Sequence, residues 1–238
     1  MAADFDGTDD YIDCGSGATL DDLSPISVVA WINPDAVTQD NGIAGKGNPF
    51  ANPAAGGTGW AFYLTTAPNL VWAIGYSTLY GQYNTSYTPS VGTWGHVAVT
   101  YTRGGTPVLY VNGISLSVTT EQATSGSANT DAAQSLFLAD ELFGTADFDG
   151  RLEDIRVFNR TLTGEEIALL AAGYRGPLGG EVGWWSCDNF RGVAHPDGAT
   201  LTAATHYLRD ESGNGNTGDP IGGVIARASD APRFGPTG

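Results

Sequence analysis

Short runs of apolar and β-branched residues, separated by Gly, Pro and Asn, recur along most of the chain. Ile26–Ile32 is almost wholly apolar and ends at Asn33-Pro34, whereas Gly95–Tyr101 alternates Val and Tyr with smaller or polar residues. A period of two predicts a half-buried strand, and a short apolar run predicts a buried one. Further strands are predicted at residues 60–64, 70–76, 108–111, 114–118, 135–139 and 152–158. Short strands at this spacing indicate an all-β sandwich or barrel, and Asn112-Gly113 indicates a type I′ hairpin turn.

One segment has the periodicity of a helix instead. Thr163 is followed three residues later by Glu166, which is the pattern of an N-terminal capping box. Ile167 and Leu170 are spaced to share one helical face, and Gly173 is a typical residue after a helix C-terminus. The sequence therefore predicts a single short helix, with no catalytic motif on it.

Composition narrows the class of partner. The 238 residues include 34 Gly and 12 Pro, as expected for many turns. A net charge of −16 disfavours binding to nucleic acid or to anionic membranes. No signal peptide or transmembrane segment is expected, because no long apolar run and no basic leader is present. Cys14 and Cys187, the only cysteines, are interpreted as two buried thiols, with a disulfide as the alternative.

Several motifs occur in the order found in one known family. Phe5–Ile12 reads F-D-G-T-D-D-Y-I, Trp94–Tyr101 reads W-G-H-V-A-V-T-Y, and Leu109–Gly113 reads L-Y-V-N-G. Gly150–Leu162 has the pattern of a closing strand and is followed by Glu165-Glu166-Ile167. Together these motifs resemble laminin-G-like and pentraxin-like domains of the concanavalin A type. The resemblance implies a jelly-roll β-sandwich of two antiparallel sheets with one short helix.

The C-terminal part departs from that family's order. Gly183–Asp188 and Asp210–Asn216 resemble motifs that precede the F-D-G opening in relatives, but here they follow it. We therefore expect a laminin-G-like sandwich at residues 1–175 and an extension at residues 176–238 that completes it with a permuted strand. Residues 181–216 should supply that strand, either to their own sandwich or to that of a neighbouring subunit.

Catalysis is not expected, although relatives of this fold include glycoside hydrolases. Those enzymes need two suitably spaced carboxyl groups, which the glucanases place as E-x-D-x-x-E on one strand. This spacing is absent: Glu153 and Asp154 are adjacent and should face opposite sides, and Asp147 and Asp149 precede Gly150 as in a loop. No nucleophile-elbow motif is present either. A glycoside hydrolase or lyase is the less favoured alternative.

Calcium is the cofactor that the resemblance implies, because some family members hold a structural calcium between the opening motif and the closing strand. We assign Asp6 and Asp154 as the first ligands and Asp10 as the next. Carboxylate and carbonyl oxygens are the ligands that calcium prefers. The alternative is that these acids cap turns or are solvated.

A tyrosine-rich stretch is the candidate surface for a glycan. Tyr76, Tyr80, Tyr83 and Tyr87 alternate with hydroxyl and amide side chains, and Trp72 precedes them. Rigid aromatic rings mixed with small hydrogen-bonding groups are typical of binding surfaces. The alternative is that these rings line the core or cover a sheet edge.

Two functions fit these observations. The first is a non-catalytic surface assembly or decoration protein of a particle such as a phage capsid or tail, with other protein subunits or its own copies as partners. The tail at Ala231–Gly238, expected to be extended or disordered, would act there as an arm. The second is a calcium-dependent, lectin-like carbohydrate-binding or adhesion module. The expected location is a virion surface or the extracellular space, without nucleic acid or membrane partners.

Overall fold

The computed structural model describes residues 1–51, 56–67, 69–140, 147–192, 197–228 and 231. Most of its ordered elements are short strands. In chain order these are β1 (Ala2–Asp6), β2 (Tyr11–Asp13), β3 (Ile26–Pro34), β4 (Asn41–Lys46), β5 (Trp60–Leu64), β6 (Leu70–Ile74), β7 (Gly81–Asn84), β8 (Gly95–Tyr101), β9 (Val108–Val111), β10 (Ile114–Ser115), β11 (Thr119–Gln122), β12 (Leu136–Leu138), β13 (Asp149–Phe158), β14 (Glu181–Trp185), β15 (Phe190–Gly192), β16 (His206–Leu208), β17 (Asp219–Ile221) and β18 (Ile225–Arg227). A 3₁₀ turn at Ala18–Leu20 and one helix, α1 (Gly164–Ala171), complete the elements.

Two antiparallel sheets pack face to face, which confirms the predicted jelly-roll sandwich. The first sheet has the order β10-β9-β8-β3-β13-β1-β18, with β14 also paired to β13. The second has the order β11-β7-β6-β5-β4-β12-β2-β17. A separate hairpin is formed by β15 and β16. Asn112 and Gly113 between β9 and β10 both have positive φ angles, 49° and 83°, as the predicted type I′ turn requires.

Alternation along the strands explains how the two sheets enclose the main core. In β5, Trp60, Phe62 and Leu64 point between the sheets, while Ala61 and Tyr63 point to the outer side. The Trp60 ring stacks on a tryptophan of β6, with ring centroids 5.4 Å apart. The central strand β3 is buried along its whole length. One side points between the sheets, and Val29 on the other side packs with Ile167 and Leu170 of the helix. This double burial is the reason that its sequence is an apolar run.

The helix forms as its capping box predicts. Thr163 Oγ1 accepts from the backbone N–H of Glu166 (3.2 Å), and Glu166 Oε2 accepts from the backbone N–H of Thr163 (2.8 Å). Ile167 and Leu170 bury their side chains against Val29 of β3 and its neighbours. The helix therefore covers the part of the outer side of the first sheet that Val29, Ala98 and Phe158 form. Within the described ranges no helix is long and apolar enough to cross a membrane.

The C-terminal segment folds back onto its own sandwich. β1 pairs with residues 149–152 of β13 and β14 pairs with residues 155–158, so the two strands lie end to end along one edge of β13. β18 then covers the outer edge of β1, and β17 extends the second sheet beside β2. The neighbour of β1 is thus residues 225–227, which lie beyond the range 181–216 expected to supply it. Of the predicted arm at 231–238, only Ala231 is within the described residues, and it is buried.

Cys14 and Cys187 are both buried and free. Burial raises the pKa of the Cys187 thiol to about 12 and raises that of Cys14 as well. Neither thiol is therefore ionised near neutral pH, and both pack as small apolar groups.

Candidate functional site

A cluster of carboxylates lies where the turn after β1 meets the start of β13. Asp6 is paired in register with Asp149, and Asp35 follows the end of β3 on the other side of β13. We use the name acidic rim for five aspartates, namely Asp6, Asp9, Asp10, Asp35 and Asp149. They come from three separate parts of the sequence, and the pairing of β1 and β3 with β13 brings them together.

Three carboxylates of the acidic rim converge most closely. Ligand atoms of Asp6, Asp9 and Asp10 all lie within 4.8 Å of one another. Asp6 and Asp9 are exposed, whereas Asp10 is only 2% exposed. Oδ2 of Asp10 accepts from the backbone N–H of Asp6 (3.1 Å), and its Oδ1 accepts from the backbone N–H of Gly223. These two bonds fix the buried carboxylate while the exposed ones face solvent.

The C-terminal extension helps to build this site. Gly222 and Gly223 form the turn between β17 and β18 that closes over Asp10. Gly222 has a φ of 79°, and a Cβ there would lie 2.4 Å from the backbone oxygen of Asp9. Only glycine fits this close approach without a shift of the backbone. The sequence motif contains the carboxylates, but the turn that positions Asp10 lies more than 200 residues later.

A cavity of about 300 Å³ opens at the acidic rim. Its lining residues are Asp4, Phe5, Asp6, Asp10, Asp35, Asp149, Ile225 and Arg227. Five of these eight carry a carboxylate, and Arg227 is the one cation among them. Arg227 Nε lies 2.7 Å from Oδ2 of Asp4, so its charge is matched outside the cluster of three. The cavity therefore has a strongly negative potential, which favours a cation.

Mutual repulsion and burial also shift the titration of these acids. Burial, together with the nearby carboxylates of Asp140, Asp9 and Asp10, raises the pKa of Asp147, which lies close to the acidic rim, to about 6. Burial likewise raises the pKa of Asp10 and of Asp149, with smaller contributions from neighbouring aspartates. The ionised forms are thus held in an unfavourable environment that a bound cation would relieve.

The cluster of three fits calcium. Calcium takes oxygen ligands at about 2.3–2.6 Å, so two oxygens on one ion lie at most about 5 Å apart. The separation of the Asp6, Asp9 and Asp10 carboxylates meets this limit. Asp6 and Asp10 were predicted as ligands from the sequence, and the structure brings them together. Asp9, from the same motif, completes the set.

Asp154 does not join them, which corrects its assignment to the same metal site. It lies five residues beyond Asp149 on β13, about 16 Å along the strand. Its carboxylate is within 2.9 Å of Arg156 and 3.0 Å of Arg175, and accepts from Nε1 of Trp184 at 2.7 Å. Both oxygens are committed to cations of the protein, so a metal ion would have to displace two guanidinium groups. We name Glu153, Asp154, Arg156, Arg175 and Trp184 the arginine network.

The predicted aromatic glycan surface is not formed. Trp72, Tyr76 and Tyr83 are 0%, 7% and 5% exposed and belong to the core between the sheets. Tyr80 packs its ring against Phe50, and Tyr87 is half-buried against the core. The five side chains therefore present no common exposed face. Trp72 on β6 and Tyr83 on β7 lie on the inward side of the second sheet, which is the alternative noted from the sequence.

The sequence of residues 6–168 matches the family model Laminin_G_3, described as the concanavalin A-like lectin/glucanases superfamily. No curated protein matches the chain. Among solved structures, the chain is similar to a Bacteroides ovatus protein described as carbohydrate-binding, with a TM-score of 0.66 and 19% identity over 98% of this chain and 61% of that one. The chain thus spans about three fifths of that protein's length.

Two further structures share the architecture. The heptameric SAP-like pentraxin of Limulus polyphemus has a TM-score of 0.56 and 14% identity, over 98% of this chain and 97% of its own. The CBM40 of Ruminococcus gnavus IT-sialidase, solved with α2,3-sialyllactose, has a TM-score of 0.50 and 12% identity, over 70% of this chain and 96% of its own. At these identities the likeness is one of fold. With the family model matching more than half of its residues, the chain belongs to the concanavalin A-like lectin/glucanases superfamily as a laminin-G-like domain.

Proposed function

We propose that this protein is a non-catalytic carbohydrate-binding module that binds its ligand through calcium at the acidic rim. The observation that carries the proposal is the convergence of the Asp6, Asp9 and Asp10 carboxylates within 4.8 Å beside an open cavity. A hard cation held by three carboxylates is compensated in charge by the protein and still accepts further oxygen ligands.

A saccharide suits such a site. Calcium, when bound, offers its free coordination positions to hydroxyl oxygens. Asp35 and Asp149 line the same cavity and would accept hydrogen bonds from hydroxyl groups beside the ion. The carbohydrate-binding descriptions of the Bacteroides ovatus protein and of the CBM40 domain support this class of ligand, because both share the fold.

Catalysis is not part of the proposal. A raised pKa such as that of Asp147 is a property of general acids in glycoside hydrolases. Asp147 is only 4% exposed, however, and a general acid must reach the glycosidic oxygen. If the protein released reducing ends from a bound glycan, and an Asp147→Asn variant did not, the module would be an enzyme and this part of the proposal would be wrong.

The test is binding to a broad glycan array, performed once in millimolar calcium and once in EDTA. We expect glycans that bind only with calcium and that are lost in an Asp9→Asn variant. Asp9 is exposed, so this change should leave the fold intact. Glu165→Gln, an exposed acid on α1 outside the acidic rim, is the matched control and should bind as wild type. Binding that persists in EDTA would remove calcium from the site, and an array without hits would overturn carbohydrate binding.

Assembly with other subunits, for example on a phage capsid or tail, is a second candidate supported by a different surface. Ile114 on the edge strand β10 is 69% exposed, and Leu169 on the neighbouring helix is 44% exposed. Exposed apolar residues on an unpaired edge favour association between copies of a chain. Light scattering of wild type and of an Ile114→Lys variant tests it. A monomer in both cases would exclude this surface as an assembly contact between copies.

A further inference from the structure

The hairpin of β15 and β16 lies outside the residues that match the family model. Its two sides differ in character. Phe190 pairs with Leu208, and these two side chains are 5% and 0% exposed. Arg191 pairs with Tyr207 on the opposite side, where Tyr207 is 43% exposed. Since side chains alternate along a strand, Arg209 follows Tyr207 on the exposed side.

Two cavities meet at Tyr207. The larger, about 600 Å³, is lined by Tyr207 and Thr217 together with Thr205, His206 and Asp219 among others. The smaller, about 430 Å³, shares Tyr207 and Thr217 and is lined also by Arg191, Arg209, Asp210 and glycines of the 213–215 turn. We call the two cavities together the Tyr207 groove. The exposed ring of Tyr207 thus lies between the two cavities, and Arg191 and Arg209 line the smaller one.

These arginines differ from most other cations in the described part of the chain. Lys46, Arg156, Arg175, Arg160 and Arg227 each lie within 4.0 Å of a carboxylate. For Arg191 and Arg209, no carboxylate of a described residue lies within this distance. A chain with 26 acidic and ten basic residues therefore leaves two cations unpaired on one exposed hairpin face. Screening limits the repulsion from distant acids, since the Debye length at physiological salt is about 8 Å.

We propose that the Tyr207 groove is a second binding site, for an acidic oligosaccharide that carries a carboxylate or sulfate group. The Tyr207 ring packs against the apolar face of a sugar ring and keeps its hydroxyl in water. Arg191 and Arg209 donate to the anionic group, for which the planar guanidinium is suited because it binds two oxygens at once. Both arginines border the smaller cavity, so the anionic sugar lies there, and a neutral sugar lies in the larger cavity beside Asp219. Asp210 also lines the smaller cavity, but it is only 5% exposed and its oxygens accept from the backbone N–H groups of Trp184, Ser212 and Asn216.

This site goes beyond the calcium-dependent function proposed above, and it needs no metal ion. The probe is a set of hyaluronan oligosaccharides, in which uronate and neutral N-acetylated sugars alternate, with a chondroitin sulfate oligosaccharide as the sulfated form. Calorimetry in EDTA separates this binding from that at the acidic rim. We expect binding in EDTA, and a loss of at least tenfold in affinity for the carboxyl-reduced hyaluronan probe.

Variants assign the binding to the groove. Arg191→Gln with Arg209→Gln, and separately Tyr207→Ala, should each weaken binding by tenfold or more. All three residues are exposed, so the melting temperature should stay unchanged. Arg103→Gln, which removes an arginine paired with Asp22 elsewhere, is the control and should bind as wild type. Equal affinity of these groove variants and wild type would overturn the proposal, as would binding of neither probe. Equal affinity for a single-stranded DNA oligonucleotide would also overturn it, because the groove would then bind phosphate rather than acidic sugars.

Discussion

The acidic rim and the arginine network both use carboxylates of β13, yet their surroundings differ. Asp149 and Asp154 are five residues apart on this strand. Asp154 lies within 3.0 Å of two guanidinium groups. Among the residues that the structure describes, no cationic side chain lies within 4.0 Å of a carboxylate of the acidic rim, and Arg227 at the same cavity is bound to Asp4. Where the fold supplies the opposite charge, a carboxylate holds the structure together. Where the fold leaves several carboxylates unmatched, it creates a place for a cation.

The charges of the arginine network are paired within the protein. Arg156 is fully buried and lies over the Trp184 ring, with its guanidinium carbon 4.0 Å from the ring centroid. Nη1 of Arg156 also donates to the backbone carbonyl of Gly176 at 2.8 Å. Asp154 itself has a φ of 50° at an irregularity in the pairing of β13 with β3, which turns its carboxylate toward the arginines. The network therefore ties β13, β14 and the segment after α1 to one another.

Among changes to the two charged regions, the removal of Arg156 should lower the free energy of unfolding the most. Arg156→Met leaves Asp154 buried beside only one cation, and we expect a loss of about 3–5 kcal/mol in the free energy of unfolding. Urea denaturation measures it. The double variant Asp154→Asn, Arg156→Met removes both charges and should be less destabilised than the sum of the single changes. A loss below 1 kcal/mol for Arg156→Met would mean that the network contributes little to stability.

The addition of calcium should have the next largest effect on stability. We expect this effect to come only from binding at the acidic rim. At a calcium concentration 100 times the dissociation constant, binding adds about 2.7 kcal/mol, which corresponds to a rise of about 5–10 °C in melting temperature. Scanning calorimetry in calcium and in EDTA is the measurement. Asp9→Asn should abolish the difference, while Glu165→Gln should retain it. An identical melting temperature with and without calcium would contradict the distinction between the two regions.

The pH dependence of stability should separate the regions further. The pKa of Asp147 is raised to about 6, above its value in the unfolded chain. The folded state therefore binds the proton more tightly, and in EDTA the free energy of unfolding should fall as pH rises from about 4 to 7. Asp22 and Glu166 have lowered pKa values, so their contribution to the free energy of unfolding is lost as pH falls below about 4. Calcium favours the ionised carboxylates and should flatten the decline. Denaturation at several pH values tests this, and an equal slope with calcium would refute it.

The smallest effect is expected at the one ion pair within the rim cavity. Asp4 and Arg227 are 18% and 40% exposed, so their attraction is weakened by solvent. Arg227→Gln should change the free energy of unfolding by only about 0.2–1 kcal/mol. It should also tighten calcium binding slightly, because it removes a positive charge from the cavity. Calorimetric titration with calcium measures this, and weaker binding would show that Arg227 supports the site.

Local sequence patterns predicted much of the fold. β5, β8 and β9 begin and end where the strand patterns placed them, and the capping box at Thr163 and Glu166 marks the start of α1. The short strands β15 to β18 were not predicted, because three-residue strands carry too few alternating positions to be recognised. For the candidate site, Asp6 and Asp10 were predicted, while Asp35 and Asp149 join them only through strand pairing.

The sequence by itself therefore determined the main strands, the helix and the acidic opening motif, because these depend on residues a few positions apart. Only the tertiary structure decided the roles of the acids and of the aromatic rings. Asp154 became part of an ion-pair network because β14 and Arg175 pack against β13, and Tyr83 became a core residue because β7 faces the other sheet. The carboxylate of Asp10 is positioned by Gly223, 213 residues away. A partner at that distance is selected by the packing of the whole sandwich, which no local pattern encodes.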